Sequence, residues 1–156
     1  MDSQKKQVTL PKVGLFACFS GGPNTGSLTG MAALEVVRRL GSDAAGVCSL
    51  PAILSEVPRQ SALVRKIEKI IVIDGCHNAC ARRLLMGIGI KPAIYLNLET
   101  DLHLSKQGPF TSLAYTEEEV NRVANAIIAT IGEILPPSGS SIGETHPGDL
   151  GHHDSP

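Results

Sequence analysis

A chain of 156 residues, 42% of them hydrophobic, is long enough to bury a core as one domain without disulfides. Its net charge of −1, from 14 Lys and Arg against 15 Asp and Glu, excludes the basic footprint of a nucleic-acid binder, and two Tyr, three Phe and no Trp exclude a base-stacking platform. No stretch approaches the roughly 18 apolar residues of a membrane helix and residues 1–7 are polar rather than secretory, so the chain is expected in the cytoplasm with its four cysteines reduced.

Residues 1–11 read as a polar N-terminal segment and 12–135 as a single α/β domain. The apolar run Val13-Gly-Leu-Phe-Ala17 reads as a strand that enters the Gly-rich stretch 20–26. Leu28, Met31, Ala32, Ala33, Val36, Val37 and Leu40 then recur at helical spacing, with Glu35, Arg38 and Arg39 on the opposite face. Gly41-Ser42-Asp43 breaks that helix, 44–48 reads as a second strand, and 51–68 holds a less regular helical segment around Ala62, Leu63 and Ile67. Ile70-Ile-Val-Ile73 is β-branched throughout, as expected of a strand covered on both faces. A helix is expected over about 77–86, a fourth strand over 93–98 and irregular chain over 99–115. Thr116-Glu-Glu-Glu119 is a capping box ahead of the apolar series Val120, Val123, Ala124, Ile127, Ile128 and Ile131, and Pro136-Pro137 closes the helix.

Strand and helix in alternation predict a small doubly wound α/β fold, with a mainly parallel sheet of four strands or slightly more and helices on both faces. Ligands of such sheets bind beyond the carboxyl ends of the strands. The tail 136–156, rich in Pro, Gly, Ser and His, lacks the apolar residues to pack and is expected to be disordered.

The cysteines stand at strand ends: Cys18 after the first, Cys48 after the second, Cys76 and Cys80 just past the third. A single thiol in such a place is most simply a small buried hydrophobe. Four of them along one edge point instead to a metal. Cys76-His-Asn-Ala-Cys80 has a spacing found in zinc sites, and Cys18 and Cys48 complete a tetrahedron of thiolates around Zn(II), which binds thiolate tightly without redox chemistry of its own. Such a site carries excess negative charge, and backbone donors around Gly21, Gly22, Asn24 and Gly26 are placed to offset it, or to hold a small anion. Asp74 is expected to cap the helix that follows, accepting from amides near His77, and Gly75 to permit a sharp turn.

Rival chemistries use the same residues. Cys76 to Arg82 is a C-x₅-R segment, as in cysteine phosphatases and arsenate reductases, with Cys76 as nucleophile and Arg82 as anion clamp, although Arg83 stands where such loops carry Ser or Thr. An open zinc site with three thiolates and a water permits hydrolysis, with Asp74, His77 or His103 as candidate bases. A disulfide between Cys76 and Cys80 makes a thiol redox sensor.

Asp74-Gly75-Cys76 followed by Ala79-Cys80, with Cys18 and the stretch from Ser20 through Gly21, Gly22, Asn24 and Gly26 to Leu28-Thr29 upstream, resembles the DGC-domain family over about residues 12–133. The resemblance implies a zinc-binding protein whose ligands are Cys18, Cys48, Cys76 and Cys80, and it implies no reaction. His77-Asn78 departs from the more apolar pair expected between the last two cysteines, which makes His77 a substitute ligand, and the tail with His146, His152 and His153 has no counterpart in the family pattern.

Overall fold

A computed structural model of the chain describes residues 9–135. The expectations for residues 1–8 and for the tail 136–156 lie outside the described residues. Four strands, β1 (Val13–Ala17), β2 (Ala45–Val47), β3 (Lys69–Asp74) and β4 (Ile94–Asn97), form one sheet in the order β2-β1-β3-β4, every pair parallel. The chain leaves β1 for one neighbour and returns to its other side as β3. The order in which strands are added therefore reverses between β1 and β3, the position at which doubly wound sheets bind ligands.

Five helices cover the sheet: α1 (Asn24–Leu40), α2 (Leu50–Leu54), α3 (Pro58–Val64), α4 (Cys80–Gly87) and α5 (Glu117–Ile134). Alternation along each strand sorts the core. Val13, Leu15, Ala17, Ile71 and Ile73 face α1 and α5, whereas Phe16, Ile70 and Val72 face α2, α3 and α4 through Leu50, Ile53, Val64, Ala81 and Leu85. Each buried Val, Leu, Ile or Phe among them stabilises the fold by about 1.5–3 kcal/mol, which is why an aliphatic core suffices. Met31 departs from the expected apolar face of α1, standing 39% exposed.

The irregular segment 51–68 is two short helices, because Glu56 adopts φ 54° and Pro58 cannot continue the ladder of α2. The capping box is formed, with the Glu119 amide donating to Thr116 Oγ1 at 3.2 Å and the Thr116 amide donating to Glu119 Oε2 at 2.8 Å. The third connection is shorter in helix than expected: α4 begins at Cys80, after Ala79 takes left-handed angles of φ 49° and ψ 45°. Among the described residues no helix is long and apolar enough to cross a membrane.

Candidate metal centre

Parallel pairing carries Cys18 and Cys76 to the same rim. Ala17 is level with Ile73, and the Cys18 amide donates to the Ile73 carbonyl at 2.8 Å, so Cys18 stands level with Asp74. The chain then folds over α1, where Phe19 takes φ 46° and its amide donates to Thr29 Oγ1, which in turn donates to the Gly26 carbonyl. Gly26 makes room for this crossing, since a Cβ there would lie 2.1 Å from the Ser20 carbonyl oxygen.

Asp74 is buried at the end of β3, and its carboxylate accepts from the amides of Ala81 at 2.9 Å and Arg82 at 3.0 Å. It therefore caps α4, but at Ala81 and Arg82 rather than near His77, because the helix starts three residues later than its spacing suggested. The His77 amide and ring Nδ1 instead both meet Glu99 Oε2 at 2.7 Å, and these contacts hold the Glu99 carboxyl below its usual range. Gly75 is needed for close approach rather than for a positive φ: a Cβ there would lie 2.6 Å from the Thr25 carbonyl oxygen. An Ala79 amide bond to the Cys76 carbonyl at 3.0 Å closes the turn that presents Cys76 and Cys80.

Cys18, Cys76 and Cys80 line one recess of about 100 Å³ between the β1 and β3 exits and the first turn of α1. Cys48 lies elsewhere. Val47 pairs with Leu15, so Cys48 is level with Phe16, two residues short of Cys18, roughly 6.6 Å along the strand direction. Its sulfur points to the face of α2 and α3, 3.1 Å from where a Cβ on Gly14 would stand. Cys18 and Cys48 meet in a second, larger cleft of about 380 Å³ with Phe19, Val47, Leu50 and Pro51. Cys18 is thus the wall shared by the two spaces.

Burial pushes the Cys18 thiol up, the Ser20 amide pulls it back, and Asp74, Cys80 and Cys76 push it up again by proximity of negative charge. Burial pushes the Cys48 thiol up to about 11. As placed, no three His, Cys, Asp or Glu side chains among the described residues stand close enough to hold one metal ion.

Several of the other candidates have partners within the fold. Asn24 pins the irregular segment, donating from Nδ2 to the Ser105 carbonyl at 3.1 Å and accepting the Gln107 amide at 2.9 Å. The carbonyls of Gly21 and Gly22 accept from Ser112 Oγ and the Thr111 amide, and the Gly26 amide donates to the Pro23 carbonyl. Arg82 lies over the Tyr95 ring, 4.6 Å from its centroid, and is not part of the recess, while the Arg82 amide belongs to Asp74. His77 is turned to Glu99, and His103 lines none of the spaces around the thiols.

One residue of the recess escaped sequence reasoning, and so did the side chain of another. Lys106 comes from the irregular segment, and no local pattern could place it. Thr25, at the start of α1, is fully buried in the recess, and its Oγ1 is the one buried side-chain polar atom without a hydrogen-bond partner among the described residues. Leaving such a hydroxyl unpaired costs about 1–3 kcal/mol.

No curated protein and no solved structure matches the chain. The model of the DGC domain matches residues 14–127, a span that runs from β1 into α5 and takes in all four cysteines, and the chain belongs to that family.

Proposed function

We propose that this protein binds Zn(II) through cysteine thiolates at the carboxyl edge of its sheet. Cys18, Cys76 and Cys80 supply the ligands that share the recess, and Cys48 supplies the fourth from the adjoining cleft. The observation that carries the reading is the convergence of thiols from two strand exits, 58 residues apart in the case of Cys18 and Cys76, on one small space at the switch point of the sheet. Thiolate donors suit zinc, and a reducing compartment, the cytoplasm, keeps them available.

The donor set fits a thiophilic ion rather than a hard one. Asp74 is committed to two amides, so the buried carboxylate of the recess is occupied, whereas His77 meets Glu99 through Nδ1 and keeps Nε2 as a further donor for such an ion. The first turn of α1, the start of α4 and Lys106 bring positive potential to the surplus charge of the thiolates. Bound there, the ion supplies a tie between the ends of β1, β2 and β3 and so contributes folding free energy.

The test is metal analysis of the full chain with His146, His152 and His153 replaced by Ala, purified under reducing conditions. About one zinc per chain is expected, lost in Cys76→Ser and in Cys18→Ser. Zinc that stays at wild-type content in both variants overturns the reading.

A further inference from the structure

We propose that the Thr25 hydroxyl is the hydrogen-bond donor to a ligand sulfur of the bound metal, a role that rests on the zinc-binding reading above. Thr25 is fully buried, lines the recess with Cys18, Cys76 and Cys80, and carries a hydroxyl with no hydrogen-bond partner among the described residues. Protonated thiols are poor acceptors. A thiolate sulfur held by a cation keeps lone pairs that accept readily, so metal binding, which takes the protons from the thiols, supplies an acceptor for this hydroxyl.

The surroundings single out Thr25. One turn further along α1, Thr29 is equally buried, but its hydroxyl donates to the Gly26 carbonyl at 2.7 Å and accepts the Phe19 amide at 2.9 Å. Thr130 on α5 spends its hydroxyl on the Ala126 carbonyl at 2.8 Å. Thr25 stands in the first turn of α1, where no carbonyl of its own helix lies three or four residues back, and the Gly22 and Gly21 carbonyls before it accept from the Thr111 amide and Ser112 Oγ. The groups that share its recess are sulfurs, the buried Asp74 carboxylate already holding two amides, and the Asn78 and Lys106 side chains. The close approach of Gly75 to the Thr25 backbone sets residue 25 against the turn that carries Cys76.

The experiment compares the full chain with Thr25→Val, which removes the hydroxyl at constant shape, and Thr25→Ser, which keeps it. Zinc affinity is measured by chelator competition, and the sulfur-to-metal charge-transfer band is recorded with Co(II) in place of zinc. Thr25→Val is expected to weaken zinc binding by roughly 10–100-fold and to move the Co(II) band to lower energy, because a sulfur relieved of its donor is easier to oxidise. Thr25→Ser is expected to retain both values. Thr130→Val serves as the remote control and leaves both unchanged. The metal-free Thr25→Val protein is expected to unfold at the wild-type urea concentration or above it, since an apolar isostere replaces an unpaired group. Wild-type affinity and an unshifted band in Thr25→Val overturn the donor role while leaving zinc binding intact. A wild-type chain that takes up no zinc overturns the metal reading and the donor role together. If Thr25→Val does not fold, Thr25→Ala removes the same donor and is read by the same band.

Discussion

Gly75 and Thr25 touch backbone to backbone: a Cβ on Gly75 would stand 2.6 Å from the Thr25 carbonyl oxygen and 2.9 Å from the Gly26 nitrogen. The exit of β3 can lie against the first turn of α1 only while residue 75 has no side chain. Gly75→Ala is expected to destabilise the metal-free protein by about 1–3 kcal/mol, as overpacking does. Gly21, with open space around it, is the comparison, and Gly21→Ala should unfold near the wild-type urea midpoint. Coincident midpoints for the two variants would show that the β3 exit yields without cost.

Asp74 offers a second prediction, because its burial and its two amide partners make it a structural cap rather than a ligand. Asp74→Ala leaves the amides of Ala81 and Arg82 without acceptors and is expected to cost about 2 kcal/mol, read by urea unfolding. Its zinc content per folded chain should equal that of the wild type. A variant that keeps its stability and loses its zinc would move Asp74 into the ligand set.

What the sequence made legible follows from the range of each interaction. β3 was plain, since Ile70-Ile-Val-Ile73 is buried from both sides, and the capping box at Thr116 and Glu119 is a contact three residues long. Strand ends located three thiols of one recess because parallel pairing brings every carboxyl end to one edge. Position along that edge was not legible. Cys48 misses the recess because β2 stops two levels below the end of β1, and a register of that kind depends on pairing between strands, not on residues near Cys48. The start of α4 was missed by three residues because Ala79 takes a left-handed conformation that alanine rarely signals. Lys106 is brought in by the bonds of Asn24 to Ser105 and Gln107, more than 80 residues away in the chain.

Glu35 ties the two long helices through charge. It accepts from Arg38 and Arg39, and Arg39 reaches on to Asn121 and to Asn125 of α5. Hydrogen bonds from Arg38, then Arg39, lower the Glu35 carboxyl from its ordinary 4.5 to about 2. A folded-state value below the unfolded one means that this stabilisation is complete above about 4.5 and is lost as pH falls through about 2. The difference in unfolding free energy between wild type and Glu35→Gln should therefore be constant from pH 7 to 5 and shrink between pH 4.5 and 2. A difference that stays constant over the acid range would show that the pair contributes nothing in solution.

Arg82 bears on the C-x₅-R reading through Tyr95. Burial raises the Tyr95 phenol, the Asn97 hydrogen bond lowers it, and the guanidinium of Arg82 over the ring lowers it as well. Arg82→Ala should push the Tyr95 titration further up, as followed by ultraviolet absorbance, with a stability loss of about 0.5–1 kcal/mol. Zinc content should not change. An unmoved Tyr95 titration would detach Arg82 from the ring.

Cys48 separates the two spaces at the sheet edge by its reactivity. Burial in an apolar cleft raises its thiol from 9.0 to about 11, so at pH 8 its thiolate population is roughly 100-fold below that of an unshifted thiol. Cys80, exposed in the first turn of α4, has no such shelter. In the metal-free protein at pH 8, iodoacetamide should modify Cys80 first and Cys48 last, resolved by mass spectrometry of the peptides. Between pH 8 and 10 the Cys48 rate should climb about tenfold per unit, because each unit below its pKa multiplies its thiolate by ten. Zinc should protect all four thiols together if Cys48 joins the site, whereas protection of Cys18, Cys76 and Cys80 alone would leave three thiolates as the whole of the protein's ligand set.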